Sequence, residues 1–212
     1  MIDMPVVRSE LNSQGWSRQL GTLEALRLAV SFDGVFRSLS ERSREKTLVP
    51  YETGKAPLRS LSAVYGLDKQ PLHTDGAHLP LPPDVIVLHS ALPTLTSTVI
   101  WSPLTPGREA LPSAARNGIF TVRGNGESFL AAVSDHRGLR FDPVVMSPAD
   151  AFARETVLFL EAERPRALVH SWDATDLLLF INNRRALHAR DEVRDAETRS
   201  ITRTSYQWSG SL

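Results

Sequence analysis

Residues Asp176 to Arg190 read DLLLFINNRRALHAR, and this is the most legible stretch of the chain. Leu177 to Ile181 is an apolar run of strand length, too short for a buried helix. Asn182-Asn183 suits a two-residue hairpin turn, because asparagine accepts positive φ. Arg184 to Arg190 then reads as the return strand, with His188 on it. The expectation is a β-hairpin that presents a histidine near the middle of its second strand.

Working outward, more strands of the same kind appear. Asp84 to Ser90 (DVIVLHS) is a β-branched run bounded by Pro82, Pro83 and Pro93, and Thr96 to Trp101 is another. Thr198 to Gln207 (TRSITRTSYQ) follows a polar loop and reads as a last strand. Between Pro103–Gly107, a Pro- and Gly-containing loop, and residue 147, short apolar runs alternate with Gly124-Asn125-Gly126 and Arg137-Gly138, which predicts a meander. Leu58 to Tyr65 also reads as a strand, and Ser40 to Lys55 as a charged loop. Two helices are predicted. One spans Leu20 to Leu39, with Leu23, Leu26, Val30 and Phe36 on one face; the other is capped by Ser147, with Pro148 at its first position and Asp150 completing a capping box, and ends near Arg164-Pro165. Many short strands with peripheral helices predict a sandwich or jelly roll.

The bulk properties agree. With 212 residues, 42% of them hydrophobic, the chain is expected to form one domain over residues 1–212. Lys+Arg and Asp+Glu are equal at 24 each, so no net field draws the protein to nucleic acid or to an anionic membrane. The absence of cysteine removes disulfides, zinc ribbons, iron–sulfur clusters and thiol nucleophiles, leaving His and carboxylates as metal ligands. Residues 1–10 lack a basic segment followed by an apolar core, and no apolar run approaches the roughly 20 residues of a bilayer span. A cytoplasmic location is expected.

His73-Thr74-Asp75 places an imidazole and a carboxylate two residues apart, on one face of extended backbone, where they can bind one metal together. His188 supplies a second imidazole. The set is then two histidines and one carboxylate, the facial triad of non-haem Fe(II) oxygenases, with open positions left on the ion.

The surroundings carry a resemblance. LSAVYG (61–66), then PLHTDGAHL (71–79) and a Pro-Pro-led apolar strand, resembles the taurine dioxygenase (TauD/TfdA-like) family. DLLLFINNRRALH (176–188) is similar to that family's distal-histidine segment, and Arg199-Ser-Ile-Thr-Arg203 to its Arg-x-x-x-Arg element. The resemblance covers roughly Leu61 to Arg203. It implies a mainly β fold with flanking helices, the double-stranded β-helix (jelly roll, cupin-like). It also implies a dioxygenase dependent on Fe(II), 2-oxoglutarate and O2 that oxidises, by default hydroxylates, a C–H bond of a small polar substrate, anionic ones included, with release of succinate and CO2. His73, Asp75 and His188 would hold the metal, and Arg199, with Thr98, the distal carboxylate of 2-oxoglutarate. Arg203 would meet an anionic substrate group, although the two arginines could exchange roles. A guanidinium is suited to this task, being a rigid fork that matches a carboxylate. His73 and His188 are closer in sequence than in many family members, which points to a reduced lid. Two other classes stay open: a jelly-roll binding protein that keeps the triad without turnover, and a cupin-type hydrolase or isomerase using the same ligands on another metal.

The remaining candidates read as structure. His78 reads as a supporting residue rather than a fourth ligand, His89 as half-buried, and His136 and His170 as surface or turn residues. Residues 124–128 (GNGES) form a turn rather than a phosphate loop, since no Lys follows. Trp16, Trp101, Trp172 and Trp208 read as packing, and Arg184, Arg185 and Arg190 as solvated hairpin ends.

Overall fold

The computed structural model describes residues 2–38, 45–105, 110–194 and 199–209. Leu39 and residues 40–44, the end of the Pro103–Gly107 loop, and Thr198 lie outside them. In chain order the elements are α1 (Met4–Ser13), β1 (Trp16–Leu20), α2 (Leu23–Asp33), β2 (Phe36–Ser38), β3 (Glu45–Leu48), α3 (Leu61–Tyr65), β4 (Val85–Ser90), β5 (Thr94–Trp101) and α4 (Ala114–Asn117). There follow β6 (Phe120–Arg123), β7 (Ser128–Ala131), β8 (Ser134–Asp135), β9 (Gly138–Leu139), β10 (Met146–Pro148), α5 (Ala151–Glu163), β11 (Leu168–Trp172), β12 (Leu177–Asn182), β13 (Leu187–Arg190) and β14 (Ile201–Trp208).

The largest sheet runs β1-β12-β4-β14-β2, with β3 also on β14, and a second runs β11-β5-β13; all pairs are antiparallel. The two central strands β4 and β12 are buried at every position. Alternation explains why both read as continuous apolar runs. Val85, Val87, Leu178 and Phe180 pack under α1 and α2 against Val7, Leu11, Leu26 and Val30. Their neighbours Ile86, Leu88, Leu177, Leu179 and Ile181 point the other way, onto Ile100 and Trp172 of the second sheet. A third cluster joins Trp101, Phe120, Val122 and Leu187 to α5, and the Trp101 indole donates to Glu163 at 2.8 Å. The result is the mainly β jelly roll with flanking helices that was expected.

Several local expectations need correction. Residues 176–190 do not form a hairpin: β12 pairs with β1 and β4, whereas β13 pairs with β5, so Asn182-Asn183 carries the chain from one sheet to the other. Both asparagines are fully buried. Leu58–Tyr65 is not a strand, because Ser60 caps a helical turn by accepting from the Ala63 N–H at 3.2 Å, and Gly66 ends it at φ 51. The first predicted helix stops at Gly34, a left-handed C-cap at φ 68, and Phe36 lies on strand β2. Glu45–Leu48, read as loop, is strand β3. The cap of α5 is Asp150, accepting from the Ala153 N–H at 2.7 Å, since Ser147 and Pro148 are used in pairing with β6. Gly124 to Gly126 do make the β6–β7 turn, and His136-Arg137 the β8–β9 turn.

Candidate metal centre

His73 and His188, 115 residues apart (188 − 73), are joined by an isolated β-bridge: the His73 N–H donates to the His188 carbonyl at 2.9 Å, and the His188 N–H returns to the His73 carbonyl at 3.1 Å. Paired residues in register present their side chains on one face. The two imidazole centroids are accordingly 4.5 Å apart. Asp75, two residues on, joins them, and one donor atom from each of the three side chains lies within 4.8 Å of the others. Among the described residues this is the one such group of His and carboxylate side chains.

The segment between these ligands is held from both sides. Thr74 is fully buried; its N–H donates to the Phe141 carbonyl at 2.6 Å, and its hydroxyl accepts from the Phe141 N–H at 3.1 Å. Asn183 accepts from the Asp75 N–H at 3.0 Å and donates to the Asp75 carbonyl at 2.9 Å and the Pro83 carbonyl at 2.8 Å. Gly76 then turns at φ 73, where a Cβ would meet Pro83 at 2.9 Å. Two buried arginines bracket the approach and the exit. Arg190 donates to the carbonyls of Gly66 and Asp68 at 2.6 and 2.9 Å, and Arg140 to those of Ala77, Leu79 and Pro80 at 2.6, 2.5 and 2.9 Å. Arg184, 5% exposed, lies 3.6 Å from Asp84. Contrary to the expectation of solvated hairpin ends, Arg184 and Arg190 are buried; burial lowers the pKa of both, and backbone carbonyls and carboxylates supply the partners that a buried guanidinium requires.

The donor chemistry suits a cation. Nδ1 of His73 lies 3.1 Å from the Pro71 carbonyl, a contact that fixes the ring and directs Nε2 away from it. Burial, and then the neighbouring His73, push the His188 pKa down to about 3, so its ring is neutral near pH 7. Its Nε2 faces Asp75 Oδ2 at 3.7 Å, and its Nδ1 is buried with no hydrogen-bond partner among the described residues. Burial opposes ionisation of Asp75, but Arg203 and the two imidazoles outweigh it and hold the carboxyl below its usual range. A neutral His188 and an ionised carboxylate are the forms in which these side chains bind metal.

The triad opens into a cavity of about 650 Å³, also lined by Thr98, Arg199 and Arg203. All six residues singled out from the sequence therefore meet in one place. Arg199 is buried. Thr98 is buried as well, and its hydroxyl accepts from the Trp172 indole at 3.1 Å, which leaves its proton to donate elsewhere. Arg203 is bonded to Asp75, Nη1 to Oδ1 at 2.6 Å. His78 lines the cavity outside the triad, and burial lowers its pKa. His89 and His170 need correction: both are buried, His89 paired with Asp176 at 3.2 Å and His170 packed edge-on against Trp172.

Sequence reasoning missed Asp142, which lines the cavity beside the triad. Burial raises its pKa, and its carboxylate accepts from the Val144 N–H at 2.8 Å. Among the described residues, three carboxylates line this cavity. Glu45 is bound by Arg27 and Asp75 by Arg203, whereas Asp142 has no cationic partner among the described residues. No local motif marks it; only its place in the folded cavity does.

No protein-family model matches the sequence, and no curated protein matches it. Solved structures do. Asparagine oxygenase, in complex with Fe(II), 2S,3S-3-hydroxyasparagine and succinate, superposes with a TM-score of 0.72 at 16% identity, over 98% of this chain and 78% of that one. PvcB of Pseudomonas aeruginosa, an Fe, α-ketoglutarate-dependent oxygenase from an isonitrile synthetic pathway, gives 0.67 at 18% identity over 98% and 83%. The non-heme iron oxygenase OrfP, in complex with Fe, succinate and (3S)-hydroxy-L-Arg, gives 0.66 at 17% identity over 98% and 79%. At these identities the likeness establishes the fold: the chain has the jelly roll of iron- and 2-oxoglutarate-dependent oxygenases.

Proposed function

We propose that this protein is an Fe(II)- and 2-oxoglutarate-dependent dioxygenase that hydroxylates a small polar substrate carrying an N–H donor. The observation that carries the reading is the convergence of His73, Asp75 and His188 at the floor of a cavity that also holds Arg199. Iron bound there, with 2-oxoglutarate and O2, supplies oxidation of a C–H bond with release of succinate and CO2.

The chain's own residues do the rest. His73, Asp75 and His188 would hold the iron through three donors and leave its remaining positions for co-substrate and oxygen. Arg199 grips the distal carboxylate of 2-oxoglutarate, and the buried guanidinium is neutralised by the dianion it receives. Thr98, its hydroxyl oxygen occupied by Trp172, donates its proton to the same carboxylate. Asp142 accepts from the substrate's N–H, be it amine, amide or guanidinium. The hydroxyasparagine and hydroxyarginine bound by two of the fold's relatives carry such groups. Arg203 keeps donors beyond the one spent on Asp75, and these are available to a substrate carboxylate. An amino acid or a close derivative meets both demands.

Anaerobic addition of Fe(II) and 2-oxoglutarate should produce a weak visible charge-transfer band, and O2 should then release succinate. Arg199→Ala should raise the 2-oxoglutarate concentration needed by about a hundredfold, the order expected for a lost charge-assisted pair. Folded, iron-loaded protein that gives neither band nor succinate would overturn the proposal in favour of a binding protein or a cupin-type hydrolase.

A further inference from the structure

The two oxygens of Asp75 face different partners. Oδ1 accepts from Arg203 Nη1 at 2.6 Å, while Oδ2 lies 3.7 Å from His188 Nε2. We propose that Arg203 is a positioning residue for the metal: it occupies Oδ1, so that Asp75 offers the ion Oδ2 alone. The inference rests on the metal-site reading above and concerns how that site is kept open.

The coordination arithmetic makes the point matter. An octahedral ion bound by two imidazoles and one carboxylate oxygen has room for both donors of a keto acid and for O2. A carboxylate that swung round to chelate would take the position that O2 needs. Nothing else on the Asp75 side chain prevents this. The Asn183 clamp holds the Asp75 backbone N–H and carbonyl and leaves the carboxylate free to rotate. Among the described residues, Arg203 is the one side chain that donates a hydrogen bond to this carboxylate; His188 Nε2, 3.7 Å from Oδ2, lies beyond hydrogen-bond reach. Charge assistance makes such a bond short and directional.

Position 203 is well placed for the task. It sits within β14, paired across to Leu88 and Lys46 in the large sheet, so its backbone is fixed by strands on both sides. Its side chain is 27% exposed toward the cavity. Substitution there changes what faces the metal without opening a hole in the core.

The test uses the full-length protein loaded with Mn(II), without 2-oxoglutarate or substrate, so that no substrate contact of Arg203 contributes. Electron paramagnetic resonance broadening by oxygen-17 water counts the waters on the ion. Arg203→Gln should hold one fewer water than wild type, or bind Mn(II) about tenfold more weakly or worse. Arg203→Lys, which restores a cationic donor, should recover most of the difference. Unchanged melting of the metal-free variants excludes a folding effect; should Arg203→Gln melt early, the comparison is made with Arg203→Lys and Arg203→Met. Variants that match wild type in both water count and affinity would overturn the inference while leaving the oxygenase reading intact. Wild type that binds no Mn(II) or Fe(II) would overturn both.

Discussion

The floor and the mouth of the cavity are built in opposite ways. At the floor, the backbone N–H groups of His73, Thr74 and Asp75 and the carbonyls of His73 and Asp75 are tied down by His188, Phe141 and Asn183, and Arg190 and Arg140 bracket the segment on either side. At the mouth, Lys46, Tyr51 and Arg59 are exposed, and Leu58, between the lining residues Pro57 and Arg59, is 92% exposed. Arg59 even holds a positive φ of 64 without being glycine. A metal centre tolerates little positional error, whereas a substrate entrance gains from being adaptable. The floor is built on β13 and its bridge to His73, and the mouth on β3 and the loop that follows it.

The sharpest way to break this contrast is at the floor. His188→Ala should abolish Fe(II) binding in a metal titration while leaving the sheets folded. Retention of wild-type affinity would mean that the ion sits elsewhere. Asn183→Ala comes next. It removes three hydrogen bonds at a fully buried position, so it should lower unfolding stability by about 3 kcal/mol in denaturant titration and weaken metal binding tenfold or more.

His170 gives a smaller and pH-dependent effect away from the metal. Burial pushes its pKa down to about 4, and its Nε2 has no hydrogen-bond partner among the described residues. The unfolded chain takes up the proton near pH 6.5 and the folded protein does not. Stability is therefore full above about pH 6.5 and falls by roughly 1.4 kcal/mol per pH unit as the pH drops toward 4. His170→Phe should flatten that slope by one proton's share, measured as the pH dependence of the unfolding midpoint. Smallest of all, Leu58→Ser, between the mouth residues Pro57 and Arg59, should change stability by no more than about 0.5 kcal/mol and leave metal affinity as it was. A large loss there would show that the mouth is as constrained as the floor.

What could be read from the sequence follows the range of the interactions. The buried runs of β4, β5 and β12 were legible because strands covered on both faces leave an apolar record of themselves. His73-Thr74-Asp75 and His188 were legible because metal chemistry permits few residue types. The clamp was not. Asn183 reads locally as a turn former, yet it is spent on Asp75, 108 residues away in sequence (183 − 75), and no local pattern encodes that. Arg140, Arg190 and Asp142 were hidden for the same reason: a charged residue is assumed solvated until its partner is seen across the fold. Leu58–Tyr65 failed differently. It has neither strand nor helix periodicity, and a single capping serine decided the outcome.

The bridge between His73 and His188 also has a kinetic meaning. It closes a loop of more than half the chain, so it forms only after the chain has paid the entropy of bringing distant strands together. On the proposed reading, iron binding would require this bridge to be in place, because only the folded chain brings all three donors together. Added metal should stabilise the folded chain, in which this bridge is closed, and so raise the unfolding midpoint.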